Sequence, residues 1–179
     1  MIEGSIPTRK LFFLKKFKKV PSLHQIESIV AFIDLHDIIF IKRIKSKKHI
    51  ISFTGKFSKN IGIKNTVSEL LGILEKKKLL NNQKFQININ KRVPIKAGLG
   101  GGSMNAANIL KYLITKRIIK TTKKKLVEIS KLIGSDVVLG LNSTNSILTS
   151  KNEIKRFTNC KKFYTLIVKP NFGCSTKEI

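Results

Sequence analysis

The sequence is short of acid, cysteine and histidine, and it has no long apolar run. Its 10 Asp and Glu stand against 36 Lys and Arg, a formal net charge of +26. A surplus of that size would by itself point to a polyanionic partner such as nucleic acid, provided the charge is clustered. The basic residues, nearly all Lys, are instead spread over the whole chain in short groups such as Lys15-Lys16, Lys18-Lys19, Lys76-Lys77-Lys78 and Lys123-Lys124-Lys125. Lys, Ile and Asn are over-used together, as a biased base composition produces. The charge is therefore read as compositional, with a nucleic-acid surface kept as the alternative. Cys160 and Cys174 make neither a metal-ligand pair nor a disulfide framework, and His24, His36 and His49 show no ligand spacing. No metal site is expected, and a reducing cytoplasm is the expected compartment. Apolar runs such as Ile29 to Ile33 are cut by Asp34 far below membrane-spanning length, and residues 1–10 lack a signal-peptide stretch, so no membrane association is expected.

What remains is an ordinary globular composition, with 41% hydrophobic and 26% charged residues in 179 positions. That suffices for one domain with a proper core, or for one domain and the stub of a second. Strand patterns cover Leu11 to Leu14, Ile26 to Leu35, Ile38 to Ile44 and His49 to Phe53. Thr66-Val67-Ser68-Glu69 reads as a capping box opening a helix to about Leu80. Phe85-Gln86-Ile87-Asn88-Ile89 alternates with period two and predicts a half-buried strand ending at Pro94. A helix follows from Ala106 to Ile118, and Thr122 caps another through Leu126, Ile129 and Ile133. Gly134 is placed to stop that helix in the left-handed conformation, leaving Ser135-Asp136 in the turn beyond. Strands at Ser146 to Leu148 and Phe163 to Val168 close the pattern. The spacing Ser175-Thr176-Lys177-Glu178 announces a further helix, yet the sequence ends at Ile179. Truncation is the expectation, a frayed tail with accidental spacing the alternative.

Between a strand and a helix the chain reads Pro94-Ile95-Lys96-Ala97-Gly98-Leu99-Gly100-Gly101-Gly102-Ser103-Met104-Asn105-Ala106-Ala107. Four glycines in five positions allow turns closed to other residues, and let successive backbone N–H groups converge on an anion. The helix behind them adds unpaired N–H groups and its dipole at the same point, which favours phosphate. The loop lacks the Gly-Lys-Ser/Thr ending of a Walker sequence and the βαβ context of the dinucleotide fingerprint. Taken alone, the residues predict a phosphate-binding α+β domain.

The string resembles the Pro-x-x-x-Gly-Leu-Gly-Gly-Gly-Ser-Ser-Asn/Asp-Ala-Ala motif of the GHMP kinases, small-molecule kinases that use ATP. The likeness extends further. His24-Gln25-Ile26-Glu27-Ser28 with Phe32-Ile33-Asp34-Leu35-His36-Asp37 is similar to the family's Tyr-His region and its Leu-x-Asp strand end. Gly134-Ser135-Asp136-Val137 is similar to its Gly-Ala-Asp-Val-Pro, and Lys169-Pro170 to Lys177 to the crossing into its second domain. The resemblance implies an α+β fold of the GHMP N-terminal, ribosomal protein S5 domain 2-like type. It divides the chain into residues 1–168, the ATP-binding domain, and 169–179, the start of a second domain otherwise absent.

By this resemblance Asp136 is the base that takes the acceptor hydroxyl's proton, the alternative being an Asp that only bonds its own turn. The family's early Lys falls on Arg9 without gaps or on Lys10 after a one-residue slip. Lys10 is preferred, because Arg is a poor substitute for a compact ammonium; both could also be solvated strand-edge charges. Pro94, Ile95, Lys96, Ala97, Gly98, Leu99, Gly100, Gly101, Gly102, Ser103 and Met104 are implied to hold ATP with Mg²⁺. His24 is implied to bind the substrate's base, although Leu23 stands where a stacking Tyr would. Met104 replaces a second Ser, and Val138 a Pro. The implied reaction is ATP-dependent phosphorylation of a hydroxyl of 4-diphosphocytidyl-2-C-methyl-D-erythritol, in non-mevalonate isoprenoid precursor synthesis. Its partners are that small molecule and, as an option, a second copy in a homodimer. The alternatives are a diverged nucleotide-binding chain without turnover and a basic nucleic-acid module.

Overall fold

A computed structural model describes residues 11–16, 26–149, 153–157 and 164–168 of the chain. The strands form two sheets. In the first, β1 (Leu11–Lys16) pairs antiparallel with β2 (Ile26–Ala31), whose other edge pairs with β6 (Ser146–Leu148), and β6 with β7 (Ile154–Arg156). In the second, β5 (Lys84–Asn90) lies in the middle, antiparallel to β3 (Ile38–Ile44) and parallel to β4 (Ile50–Thr54). Parallel neighbours need a crossover, and α1 (Thr66–Lys76) supplies it between β4 and β5.

Period-two burial on β5 is as the alternation predicts: Phe85, Ile87 and Ile89 are buried and Gln86 is exposed. Ile39 and Ile41 of β3 continue that face. It meets Leu70, Leu71 and Leu74 of α1 and Ile109, Leu110 and Leu113 of α2 (Gly101–Thr115) in one core. Each such side chain contributes about 1.5–3 kcal/mol by leaving water. Ile129 and Ile133 of α3 (Lys123–Ile133) and Val137 of the short α4 (Val137–Gly140) complete it.

Several local expectations are corrected. The first helix is capped by Asn65, one residue before the expected Thr. The Asn65 Oδ1 accepts the N–H groups of Val67 and Ser68 at 3.1 Å each, and Ser68 Oγ accepts the Asn65 N–H at 2.9 Å. Asn caps at least as well as Thr, and taking the role frees the Thr66 hydroxyl for another partner. That helix ends at Lys76 rather than Leu80. The next begins at Gly101, inside the glycine run, not at Ala106. Gly134 is extended (φ 168, ψ 149), not left-handed. β2 stops at Ala31 rather than Leu35, and residues 164–168 form no strand, with Tyr164, Leu166 and Val168 in water. Without a neighbouring strand among the described residues, apolar alternation has no ladder to join. Thr122 caps α3 as expected, its Oγ1 accepting the Lys125 N–H at 3.3 Å.

On the core's edge His49 stacks on Phe85, with ring centroids 5.9 Å apart. Its Nδ1 accepts the Phe85 N–H at 3.0 Å, so the neutral ring carries its proton on Nε2, 3.1 Å from Glu75 Oε1. Burial pushes the His49 pKa down, against the opposing pull of Glu75.

Candidate functional site

The glycine loop leaves β5 through Lys91, Arg92 and Val93 and enters α2 at Gly101. Positive φ falls on alternate residues: Lys96 (52°), Gly98 (68°) and Gly100 (60°). Such alternation turns successive N–H groups toward one side, the arrangement that makes an anion-binding concavity. Gly100 is the left-handed N-cap of α2, no side chain caps that end, and its first turn carries no acid. A helix leaves its first N–H groups without intrahelical partners, so those of the first turn, Gly101 to Ser103, are available at this point. At Gly98 an added Cβ would meet open space.

Two residues, Thr66 and Asp37, hold this geometry. The Thr66 hydroxyl donates to the Gly102 carbonyl at 2.9 Å, bringing the start of α1 beside the start of α2. Asp37, fully buried ahead of β3, accepts the N–H groups of Arg92 and Val93 on Oδ1, each at 2.8 Å. Its Oδ2 accepts from the buried Lys91 Nζ and, at 2.9 Å, from Asn105 Nδ2 in α2. Removing one partner of such a buried pair costs about 3–5 kcal/mol.

Of the residues expected from the sequence, the structure gathers the loop and the Gly134-Ser135-Asp136 turn in one place. A Cβ on Gly134 would lie 3.6 Å from Ser103 Oγ, and α4, whose N-cap is Asp136, packs on α2. Asp136 is half-buried, with the Ser135 hydroxyl 3.5 Å from its Oδ1. Leu99 and Met104 are buried, the latter beneath Gly140, and the Met104 N–H is bonded to the Gly100 carbonyl at 2.9 Å. Pro94, Ile95, Ala97, Gly100, Gly101 and Ser103 are half-buried, while Lys96, Gly98 and Gly102 are exposed. Lys10, the competing Arg9, and His24 lie outside the described residues. The Asp37, Lys91 and Asn105 trio was missed as a unit. The available signal was a charged residue at the edge of each of two apolar strands, Asp37 before β3 and Lys91 after β5. No group of three or more His, Cys, Asp or Glu gathers among the described residues.

A strand, a glycine loop of alternating handedness and an uncapped helix start, with a carboxylate turn packed alongside, form an arrangement suited to gripping an anion such as phosphate. Residues 65–148 match the family described as GHMP kinases N terminal domain. Among its relatives, a 4-diphosphocytidyl-2-C-methyl-D-erythritol kinase from Pelagibacter ubique (strain HTCC1062) is 55% identical over 90% of this chain and 57% of its own length. A protein of the same name from Buchnera aphidicola subsp. Schizaphis graminum is 33% identical over 87% of this chain and 55% of its own. The chain thus spans little more than half the length of these curated relatives. A crystal structure of 4-(cytidine 5'-diphospho)-2C-methyl-D-erythritol kinase superposes with a TM-score of 0.66 at 24% identity, over 87% of this chain and 55% of that one. Methanococcus jannaschii mevalonate kinase gives 0.58 at 14%, over 88% and 56%. At those identities the likeness concerns the fold.

Among the described residues no helix is long and apolar enough to cross a membrane.

Proposed function

We propose that this chain supplies the ATP-phosphate-binding part of a kinase that phosphorylates a hydroxyl of 4-diphosphocytidyl-2-C-methyl-D-erythritol, acting in the cytoplasm. One observation carries the reading: the alternating loop from Lys96 to Gly100 feeds the uncapped start of α2, with the Asp136 turn beside it. Phosphoryl transfer asks the protein mainly to position reactants and balance charge. The residues present fit a polyphosphate. The loop offers N–H groups without an acid among them, Gly98 leaves room for approach, and the exposed Lys96 adds a cation at the rim.

In this reading the N–H groups of Gly98 to Ser103 hold the phosphates while Leu99 and Met104 anchor the loop from below. Asp136 accepts the acceptor hydroxyl's proton, Lys10 offsets its charge, and His24 meets the cytidine base. Mg²⁺ arrives on the nucleotide, as is usual for an ion that keeps several waters, rather than in a cage of protein ligands. The acceptor's identity rests on the curated relatives, since the loop recognises only phosphate.

The test is transfer of labelled phosphate from ATP to 4-diphosphocytidyl-2-C-methyl-D-erythritol, run beside calorimetric titration with Mg-ATP. Saturable ATP binding with slow transfer to that acceptor is expected. Met104, where the family motif has a second Ser, weakens positioning, and about an ångström of misplacement can cost roughly a hundredfold in rate. No ATP binding, together with tight salt-sensitive RNA binding, would assign the chain to a basic nucleic-acid module.

A further inference from the structure

We propose that Asp37 is the positioning residue that holds the glycine loop in its anion-binding shape, with Lys91 and Asn105 as its partners. The inference deepens the ATP reading above and rests on it for the identity of the ligand. Glycine-rich backbone has more conformational freedom to lose than any other, so an alternating run of N–H groups does not keep its orientation unaided. The restraint must come from outside the loop. Asp37 grips the chain immediately before the loop, at Arg92 and Val93, and again immediately after it, at Asn105. One carboxylate thereby fixes both ends of the excursion between β5 and α2.

The charges support the same role. A lone buried carboxylate beneath a phosphate site would repel the ligand. Lys91 balances it, and a Cβ placed on Gly101 would sit 3.5 Å from the Lys91 ammonium, so that cation lies against the first turn of α2. Asn105 lies on the same face as Gly101, one helical turn on. Its Oδ1 is buried and meets no hydrogen-bond partner among the described residues, so what Asn105 contributes is the donor it gives to Asp37. The trio holds one carboxylate, one ammonium and one amide, and the positions of carboxylate and amide are exchangeable in principle.

That exchange is the test. In Asp37→Asn the new amide keeps an acceptor for Arg92 and Val93 but turns N–H groups toward the Lys91 ammonium and the Asn105 amide, donor against donor. In the double variant Asp37→Asn with Asn105→Asp, the amide introduced on the β3 side donates to the carboxylate introduced in α2, which also receives Lys91. Two readouts are taken on the whole chain: hydrogen exchange at the Arg92, Val93 and Met104 amides, and Mg-ATP affinity by calorimetry. Asp37→Asn is expected to speed that exchange and weaken ATP binding, each about tenfold or more, and the double variant to return both to within about threefold of the parent. Leu113→Ala, near the far end of α2, should lower the melting temperature while leaving exchange at these amides and ATP affinity near parental values. Loop exchange unchanged in Asp37→Asn, an effect that Leu113→Ala reproduces at equal melting temperature, or a double variant that restores nothing would overturn the proposal. Should Asp37→Asn not fold, a double variant that folds with parental loop exchange supports it, and one that does not overturns it. A parent that binds no ATP while its loop exchange follows this pattern would overturn the kinase reading and leave the positioning role of Asp37 supported.

Discussion

Replacing Gly140 by alanine tests how the carboxylate turn is seated on the loop's helix. The added Cβ would stand 2.6 Å from the Ala107 Cβ, 2.9 Å from Met104 Cε and 3.0 Å from Met104 Sδ. Met104 can yield by changing rotamer, but the Ala107 Cβ is fixed to the backbone of α2. Ordinary contact returns only if α4 lifts from α2 by the better part of an ångström. Overpacking of this kind costs about 1–3 kcal/mol, which for a chain of this size lowers the melting temperature by roughly 2–12 °C. Because Asp136 is the N-cap of α4, the same displacement moves its carboxylate relative to Ser103. Phosphoryl transfer should therefore fall much further than ATP affinity. Adding Ala107→Gly removes the clashing carbon, so urea unfolding of the four proteins in this cycle should show a favourable coupling of about 1 kcal/mol or more, even though a helical Gly itself costs about 1 kcal/mol. A Gly140→Ala protein within about 0.5 kcal/mol of the parent, or a strictly additive cycle, would show that α4 does not rest on α2 as described.

Other outcomes are expected. Gly98→Ala meets no steric obstacle, but at φ +68 it should cost about 1–2 kcal/mol of backbone strain; its methyl group also enters the open side of the loop, so calorimetry should show an ATP affinity loss beyond the stability loss. Asp136→Asn should lower any phosphoryl transfer by about 10²–10⁴-fold while ATP affinity stays near parental, read in the same pair of assays. Acidification should destabilise the fold in two windows. The folded-state pKa of His49 lies below 6.5, so its neutral form contributes stability that is full above that value and lost as pH falls through it toward the folded pKa. Glu75, lowered by its bond to Lys84, adds a smaller loss below 4.5, since it is partly exposed. Urea midpoints at pH 7.5 and 5.5 check the first window, and a rise on acidification would contradict it.

What the sequence revealed was what short-range chemistry decides. The alternation of Phe85, Ile87 and Ile89 fixed a buried strand face, Thr122 announced a helix start, and the glycine string marked the loop, which lies within the residues that the GHMP kinases N terminal domain model matches. What stayed hidden depended on distant neighbours. A place at the edge of an apolar strand does not by itself separate Asp37 from a solvated turn residue, because its partners lie 54 to 68 positions away. The left-handed ending expected of Gly134 fails because the chain must pass beside Ser103 and turn into α4. Asn65 and Thr66 are both plausible caps by type, and the choice is made by the Gly102 carbonyl, which takes the Thr66 hydroxyl. The apolar pattern of 164–168 is that of a strand without a described neighbour to pair with.

The central claim, that the N–H groups of Gly98 to Ser103 receive the phosphates of ATP, is tested most directly by following backbone amide resonances during a Mg-ATP titration. The account predicts saturable shifts concentrated at Gly98, Gly100, Gly101, Gly102 and Ser103, which inorganic triphosphate reproduces and about 0.5 M salt weakens only in part. Shifts confined to lysine-bearing surfaces such as Lys76 to Lys78 and Lys123 to Lys125, abolished by salt and absent from the loop, would contradict it.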